Sequence, residues 1–365
     1  MEKVRVGLIG TGVGIRILLP GFRGTGRADV VAVSSSSFNR AAAFAHENGI
    51  ARAFEHYQDL CDCNELDLIC VASPNAFHVE HGRAALMTDK YVLLEKPLAI
   101  DGRWARELAQ LATGRRRWSL INHQLRFNPH FQELAAVLRR GELGRPYYLR
   151  ICHQGTSWSP LDIPLSWLFS STEGGGQRLA MGSHLVDLTT FLTGVQPCLV
   201  TCSMDPVHSE RPDATGQPRG IRVSNAFSAQ LDLQSGISVQ LSATAAATSD
   251  TRFEVDILGS AGEAHFSLTN KLQIGRAGAP LSGVPVSGVS DAERTNAVPF
   301  FKGSFDYYAE AIVQSILSSD DSFVDAAATV ESAVATQEVL DAMLISTRAG
   351  TRVEVASGYT SSTDV

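Results

Sequence analysis

The sequence predicts an α/β protein of two domains, and three observations carry the prediction. Over residues 4–140 short apolar runs alternate with helical stretches, the pattern of a parallel sheet with crossover helices. A glycine-rich turn, Gly10-Thr11-Gly12-Val13-Gly14, joins the first strand to the first helix. Over residues 221–266 the pattern becomes apolar–polar alternation broken by turn residues, which reads as hairpins. At 365 residues the chain has room for two domains of roughly 150 residues each.

Composition narrows the class. A chain that is 44% hydrophobic and 19% charged is globular, not disordered. Its net charge of −7 argues against a nucleic-acid or anionic-membrane partner. Arg115-Arg116-Arg117 and Arg139-Arg140 are short and read as solvated helix ends. The six cysteines (61, 63, 70, 152, 198 and 202) lack paired spacing with histidines, so no metal site is expected. With no signal peptide and no run of membrane-spanning length, a cytoplasmic protein with free thiols is expected.

Residues 4–9 read as a buried strand and 15–23 as a helix. Strand, glycine turn and helix in that order make a cradle for a dinucleotide pyrophosphate. The third glycine of the usual spacing would fall at Ile15, so Gly14 comes one position early. Residues 29–33 form a second strand. An acidic residue at its end would bind ribose hydroxyls of NAD, but the chain continues Ser34-Ser35-Ser36-Ser37-Phe38-Asn39-Arg40. Hydroxyls with a nearby guanidinium suit a 2′-phosphate, so NADP is preferred over NAD. A solvated serine loop with Arg40 facing water is the plain alternative.

Helix 40–49 and strand 66–72 follow, the latter closing with Ser73-Pro74-Asn75-Ala76-Phe77-His78. Proline ends the strand, and Asn75 holds a turn while offering its amide to a cofactor. His78 opens the next helix, where packing and ligand roles are equally open. The run Tyr91 to Leu94 then breaks into Glu95-Lys96-Pro97. Its end is the edge where ligands bind in open α/β sheets, and a lysine placed there has the means to touch a substrate oxygen. A surface lysine after a strand is the bland reading. Helix 102–112, strand 118–121 and Asn122-His123-Gln124-Leu125-Arg126-Phe127-Asn128-Pro129 complete this half, with a helix to about Arg140.

In the second half, residues 147–153 form a strand. The stretch 157–167 carries Trp158 and Trp167 among serines and prolines, either as a sugar-stacking loop or as a cover for the core. Gly174-Gly175-Gly176 leads to a helix over 182–192, on which His184 and Asp187 share a face. Strands 226–233 and 237–241 flank a Gln234-Ser235-Gly236 turn, and 253–259 forms another. Residues 275–296 read as loop, helices are expected over 305–317 and 325–346, and a mobile Ser/Thr-rich tail from 357.

These motifs resemble the glucose–fructose oxidoreductase / inositol dehydrogenase / MocA family. The likeness rests on Gly10-Thr11-Gly12, Ser73-Pro74-Asn75 with His78, Glu95-Lys96-Pro97, Arg126-Phe127-Asn128-Pro129, and the triple glycine followed by Gly182-Ser183-His184-Leu185-Val186-Asp187. It implies an N-terminal Rossmann domain (1–122) and a C-terminal α+β domain (123–356) whose large, mostly antiparallel sheet makes a homodimer or homotetramer. It implies a secondary alcohol or ketone of a sugar, inositol or related ring as substrate. It implies Lys96 and His184 as catalytic, Arg126 and Asp187 as substrate-binding, and Asn75 and Glu95 as cofactor contacts, with Ser73, His78, Gln124 and Lys96 beside them. One departure is Ala180, where many members have an aspartate four residues before the histidine. That supports a rival, a non-catalytic dinucleotide sensor; a redox-assisted glycosidase is a third reading.

Overall fold

The computed structural model describes residues 3–12, 15–205, 208–290 and 299–356. The chain divides into two units, Met1–Asn128 with Ala297–Val334, and Pro129–Asn296 with Ala335–Val365. The first therefore extends past residue 122 and takes in a later segment of the chain. The tail from 357 lies outside the described residues.

In the first unit the strands are β1 (Val4–Ile9), β2 (Ala28–Ser34), β3 (Arg52–Phe54), β4 (Leu68–Val71), β5 (Tyr91–Leu94), β6 (Ser119–Ile121) and β17 (Ala328–Thr329). They form one sheet in the order β17-β6-β5-β4-β1-β2-β3. All neighbours are parallel except β17, which runs antiparallel to β6. The strands read as continuous apolar runs because both faces are covered. Val4, Val6 and Leu8 enter a core with Phe22, Phe305, Tyr308 and Ile312. Ile9, Ile69, Val71 and Leu94 enter another with Leu60, Leu108 and Ala109. At roughly 1.5–3 kcal/mol for each buried aliphatic side chain, these layers supply most of the drive to fold. Strand order reverses between β1 and β4, so the carboxyl ends of those two strands open at the switch point where such sheets bind ligands.

The helices of this unit are α1 (Ile15–Gly24), α2 (Phe38–Glu47), α3 (Tyr57–Cys61), α4 (His78–Leu86) and α5 (Gly102–Ala112), with Phe300–Ser318 from the later segment. The Ser37 and Asp101 side chains cap α2 and α5 by accepting from Arg40 N and Trp104 N. The later helix begins at Phe300, earlier than the sequence suggests. It lies so close to α1 that a Cβ at Gly21 would fall 2.4 Å from Phe305 Cδ1. The helix expected from 325 begins instead at Ala333, because the edge of β6 captures Ala328 and Thr329 as β17 and Val330 N donates to Ser119 O at 3.0 Å.

The second unit holds a nine-stranded sheet. Its strands are β7 (Pro146–Gln154), β8 (Pro197–Asp205), β11 (Ala226–Leu233), β12 (Ser238–Thr244), β13 (Arg252–Gly259), β14 (Gly262–Ser267), β15 (Lys271–Arg276), β16 (Ser282–Gly283) and β18 (Val353–Glu354). The order is β16-β15-β14-β13-β7-β12-β11-β8-β18, antiparallel throughout except for the β7–β12 pair. Part of the expected 275–296 loop thus joins the sheet as β16; residues 291–296 lie outside the described residues. Helix α6 (Pro129–Arg139) covers one face, with Phe131 against Phe253 and Phe266 at ring distances of 5.9 and 4.9 Å. Helices α7 (Gln177–Ala180) and α8 (Gly182–Thr193) follow it in the chain, and α8 packs on α6 and β12. The opposite face is polar: Arg150 pairs with Glu254 and Asp256, and Asp256 also meets His265 Nδ1 at 2.6 Å. A separate hairpin pairs β9 (Glu210–Pro212) with β10 (Pro218–Gly220).

Candidate active site

The carboxyl ends of β1, β2, β4 and β5 carry most of the residues singled out in the first half. Gly10 takes φ +109°, a backbone state that a side chain strains, and a Cβ there would sit 2.6 Å from Ala72 O. Gly10 N donates to Ser34 O at 2.9 Å, which ties the turn to β2. Thr11 Oγ1 and Ser35 Oγ are 3.1 Å apart. Gly12 differs from Gly10: a Cβ would meet no protein atom within 4 Å, so the backbone faces open space. Val13 and Gly14 lie outside the described residues.

On either side of Gly10 stand two buried hydroxyls, Ser34 Oγ and Ser73 Oγ, with no hydrogen-bond partner among the described residues. Buried polar groups normally find partners, so two open ones beside an open glycine turn fit a polar ligand. This is what a dinucleotide phosphate and ribose require. At the end of β2 no carboxylate appears. Arg40 is exposed, and its Nη1 reaches Ser36 Oγ at 3.4 Å, at the N-terminal end of α2. A guanidinium, a hydroxyl and a helix N-terminus in one place suit an anion.

His78 is buried, with Nδ1 2.7 Å from Pro97 O and Nε2 2.9 Å from Ser73 O. A neutral ring has one N–H and satisfies only one of these carbonyls. Burial lowers its pKa, against the two carbonyl contacts that raise it. The ring lies between the two carbonyls and donates to one of them, so it sits between the loop after β4 and the loop after β5. Asn75, in the turn between those points, is buried.

The Lys96–Pro97 bond is cis. Glu95 Oε1 accepts from Asn122 Nδ2 at 2.7 Å, and Glu95 N donates to Val71 O at 2.8 Å, so the segment is fixed on both sides. Burial raises the Glu95 pKa, opposed by the Lys96 charge and the Asn122 hydrogen bond. Burial lowers the Lys96 pKa, opposed by Glu95. A desolvated lysine with a depressed pKa is suited to proton exchange with a bound oxygen. Asn122 is the residue that sequence reasoning passed over; its place at the end of β6, level with Glu95, was the available signal. Its Oδ1, like Gln124 Oε1, is buried and has no hydrogen-bond partner among the described residues. Arg126 follows in a short 3-10 turn, with Nη1 3.3 Å from Ala326 O.

In the second unit the triple glycine has a steric origin. Gly174 and Gly176 take φ +78° and +95°, and a Cβ on Gly175 would lie 2.4 Å from Leu168 O. The turn delivers the chain into α7 and then α8, whose first turns are buried. His184 is 3% and Asp187 2% exposed, three residues apart on that helix. Ala180 closes α7. The two tryptophans separate. Trp158 is buried among Phe169, Ile221, Val223 and Ala245, so its ring is core. Trp167 is partly exposed and lines a recess of about 510 Å³. The stacking role read for Trp158 is therefore corrected: Phe169 lies 5.1 Å from its ring, within the core.

The chain matches the model of an oxidoreductase family with an NAD-binding Rossmann fold, Gfo/Idh/MocA, over residues 4–123, and that family's C-terminal domain over residues 131–265. An uncharacterized oxidoreductase of Synechocystis is 26% identical over 262 residues, covering 71% of this chain and 70% of its own. The 1,5-anhydro-D-fructose reductase of Ensifer adhaerens is 32% identical over 195 residues, covering 53% of this chain and 57% of its own. Levoglucosan dehydrogenase in complex with NADH and levoglucosan superposes with a TM-score of 0.86 at 18% identity, over 98% of this chain and 100% of the other, a likeness of fold. No described helix is long and apolar enough to cross a membrane. With two family models spanning more than half of its length, the chain belongs to the Gfo/Idh/MocA family of NAD-binding Rossmann oxidoreductases.

Proposed function

We propose that the protein interconverts a secondary alcohol and a ketone on a sugar-like ring, with NADP as the preferred cofactor. The observation that carries this reading is Lys96, half-buried at the carboxyl end of β5 next to Glu95, whose carboxylate accepts from Asn122 Nδ2. Gly10, Thr11, Gly12, Ser34, Ser73 and Asn75 would hold the dinucleotide, and Arg40 with Ser36 would take the 2′-phosphate. A nicotinamide held there would supply or accept the hydride. Lys96 hydrogen-bonds the reacting oxygen and stabilises charge that develops on it. His184 takes the hydroxyl proton in oxidation and returns it in reduction. Asp187 and Arg126 orient ring hydroxyls through charge-assisted bonds.

A sugar-like substrate is supported by the relatives, one a reductase of an anhydro-sugar and one a structure with levoglucosan bound. The sensor alternative draws on Ala180, which stands four residues before His184 where many family members have an aspartate. A 340 nm screen of polyols and keto-sugars decides between them. Turnover that falls by two orders of magnitude or more in Lys96→Met and His184→Ala, with cofactor binding intact, is the expected result. Variants as fast as the parent would overturn the assignment, and a protein that binds NADPH yet turns over nothing would favour the sensor.

A further inference from the structure

Within the second unit, the last turns of α6 and α8 come together with β7 and β13 around a pocket of about 380 Å³. That size falls inside the roughly 300–1,000 Å³ of small-molecule sites. A glycine of positive φ ends each helix, Gly194 at +69° closing α8 and Gly141 at +69° following α6, so neither helix runs on across the gap. Leu149 and Ile257, opposite each other in the β7–β13 register, line the pocket with Leu192 and Ile237, and all four are buried. Half-buried Phe191 and Val195 complete an apolar interior.

The charged groups at the pocket are all cationic. Arg139 and Arg145 line it and are exposed, whereas no aspartate or glutamate lines it. Neither guanidinium has a hydrogen bond or ion pair among the described residues. Glu142, the acid that stands between them in the chain, is taken by Arg140 and Arg276. A cation in the last turn of a helix complements its dipole, which accounts for Arg139. It does not account for Arg145, which lies outside any helix, directly before β7. The segment that carries Arg145 is fixed: Arg145 N donates to Ser260 Oγ at 2.9 Å, and Ser260 N donates to Arg145 O at 3.1 Å. At the end of α8, Val195 N donates to Thr193 Oγ1 at 3.3 Å. The walls are thus held by their own hydrogen bonds, the support that a binding site requires.

We propose that this pocket binds a small amphipathic carboxylate, an apolar chain or ring bearing one acid group. The apolar part lies against Leu192, Ile237 and Ile257, and the carboxylate meets Arg139 and Arg145. Removal of the apolar part from water drives entry, and the open guanidiniums select the acid over neutral analogues through charge-assisted bonds. The pocket shares no residue with the proposed cofactor and catalytic set, so the inference goes beyond the oxidoreductase reading and its test needs no turnover. Calorimetric titration of the full chain with octanoate, octan-1-ol and acetate supplies that test. Octanoate saturates a single site, and binds at least about tenfold more tightly than octan-1-ol or acetate. The Arg139→Gln/Arg145→Gln double variant keeps octan-1-ol binding and loses most of the preference for octanoate. Val195→Trp, which fills the pocket, loses octanoate binding; circular dichroism confirms that both variants are folded. Equal affinities for octanoate and octan-1-ol, octanoate bound no better than acetate, or an undiminished preference in the folded double variant would overturn the site.

Discussion

Gly10 and Gly12, two residues apart in one turn, respond oppositely to the same added methyl group. At Gly10 the backbone is left-handed, at φ +109°, which disfavours alanine by about 1–2 kcal/mol. The new Cβ would also stand 2.6 Å from Ala72 O and 2.8 Å from Ala72 C, both rigid backbone atoms. Overpacking of that kind adds about 1–3 kcal/mol. Gly10→Ala is therefore destabilised by about 2–5 kcal/mol, and at about 2–4 °C per kcal/mol the melting point falls by roughly 10 °C. Gly12→Ala meets nothing within 4 Å, so its stability stays within about 0.5 kcal/mol of the parent. Its methyl group instead occupies the space through which phosphates approach, and NADPH affinity drops. Differential scanning fluorimetry and nicotinamide fluorescence titration measure the two effects. An unchanged melting point for Gly10→Ala would refute the packing argument. Unchanged NADPH affinity for Gly12→Ala would refute the cradle.

Other predictions follow from the same geometry. Arg40→Ala loses one exposed charge-assisted contact, worth about 1.4 kcal/mol or tenfold in Kd, and loses it for NADPH alone; an equal loss for NADH would show that Arg40 does not read the 2′-phosphate. His81 and His153 are held down to about 4, below the ordinary 6.5, in each case chiefly by burial. The unfolded chain binds protons there that the folded chain refuses, so stability falls as pH drops from about 6.5 to about 4. Urea midpoints should be lower at pH 4.5 than at pH 7, and His153→Phe should narrow the gap; a gap as wide in that variant would remove His153 from the account.

How much was legible depended on how local the signal was. Strands 4–9 and 91–94 coincide with β1 and β5 because a strand covered on both faces must be apolar throughout. Helix 102–112 coincides with α5, whose start is marked by the Asp101 cap. Short edge pieces carried no comparable pattern. β3, β16 and β17 have two or three residues each and exist because a neighbouring edge offers hydrogen bonds. The site divides in the same way. Glu95-Lys96-Pro97 could be placed from the sequence, since a strand end is a local property. The burial of Trp158 and the hydrogen bonds from Arg211 to the Trp158 and Pro160 carbonyls could not, because each depends on segments some fifty residues away in the chain. His78 shows the limit from another side. Its position was legible, but the two carbonyls that flank its ring come from separate loops.

The central claim is that Lys96, placed by β5 and half-buried there, acts on the reacting oxygen. Its most direct test is the Lys96→Met variant, followed at 340 nm with whichever polyol or keto-sugar the parent turns over, beside an NADPH titration of the same sample. The account predicts that turnover falls at least about a hundredfold, within the usual 10²–10⁴ worth of a proton-transferring side chain, while NADPH still binds. Near-parental turnover in a variant that binds NADPH normally would contradict it.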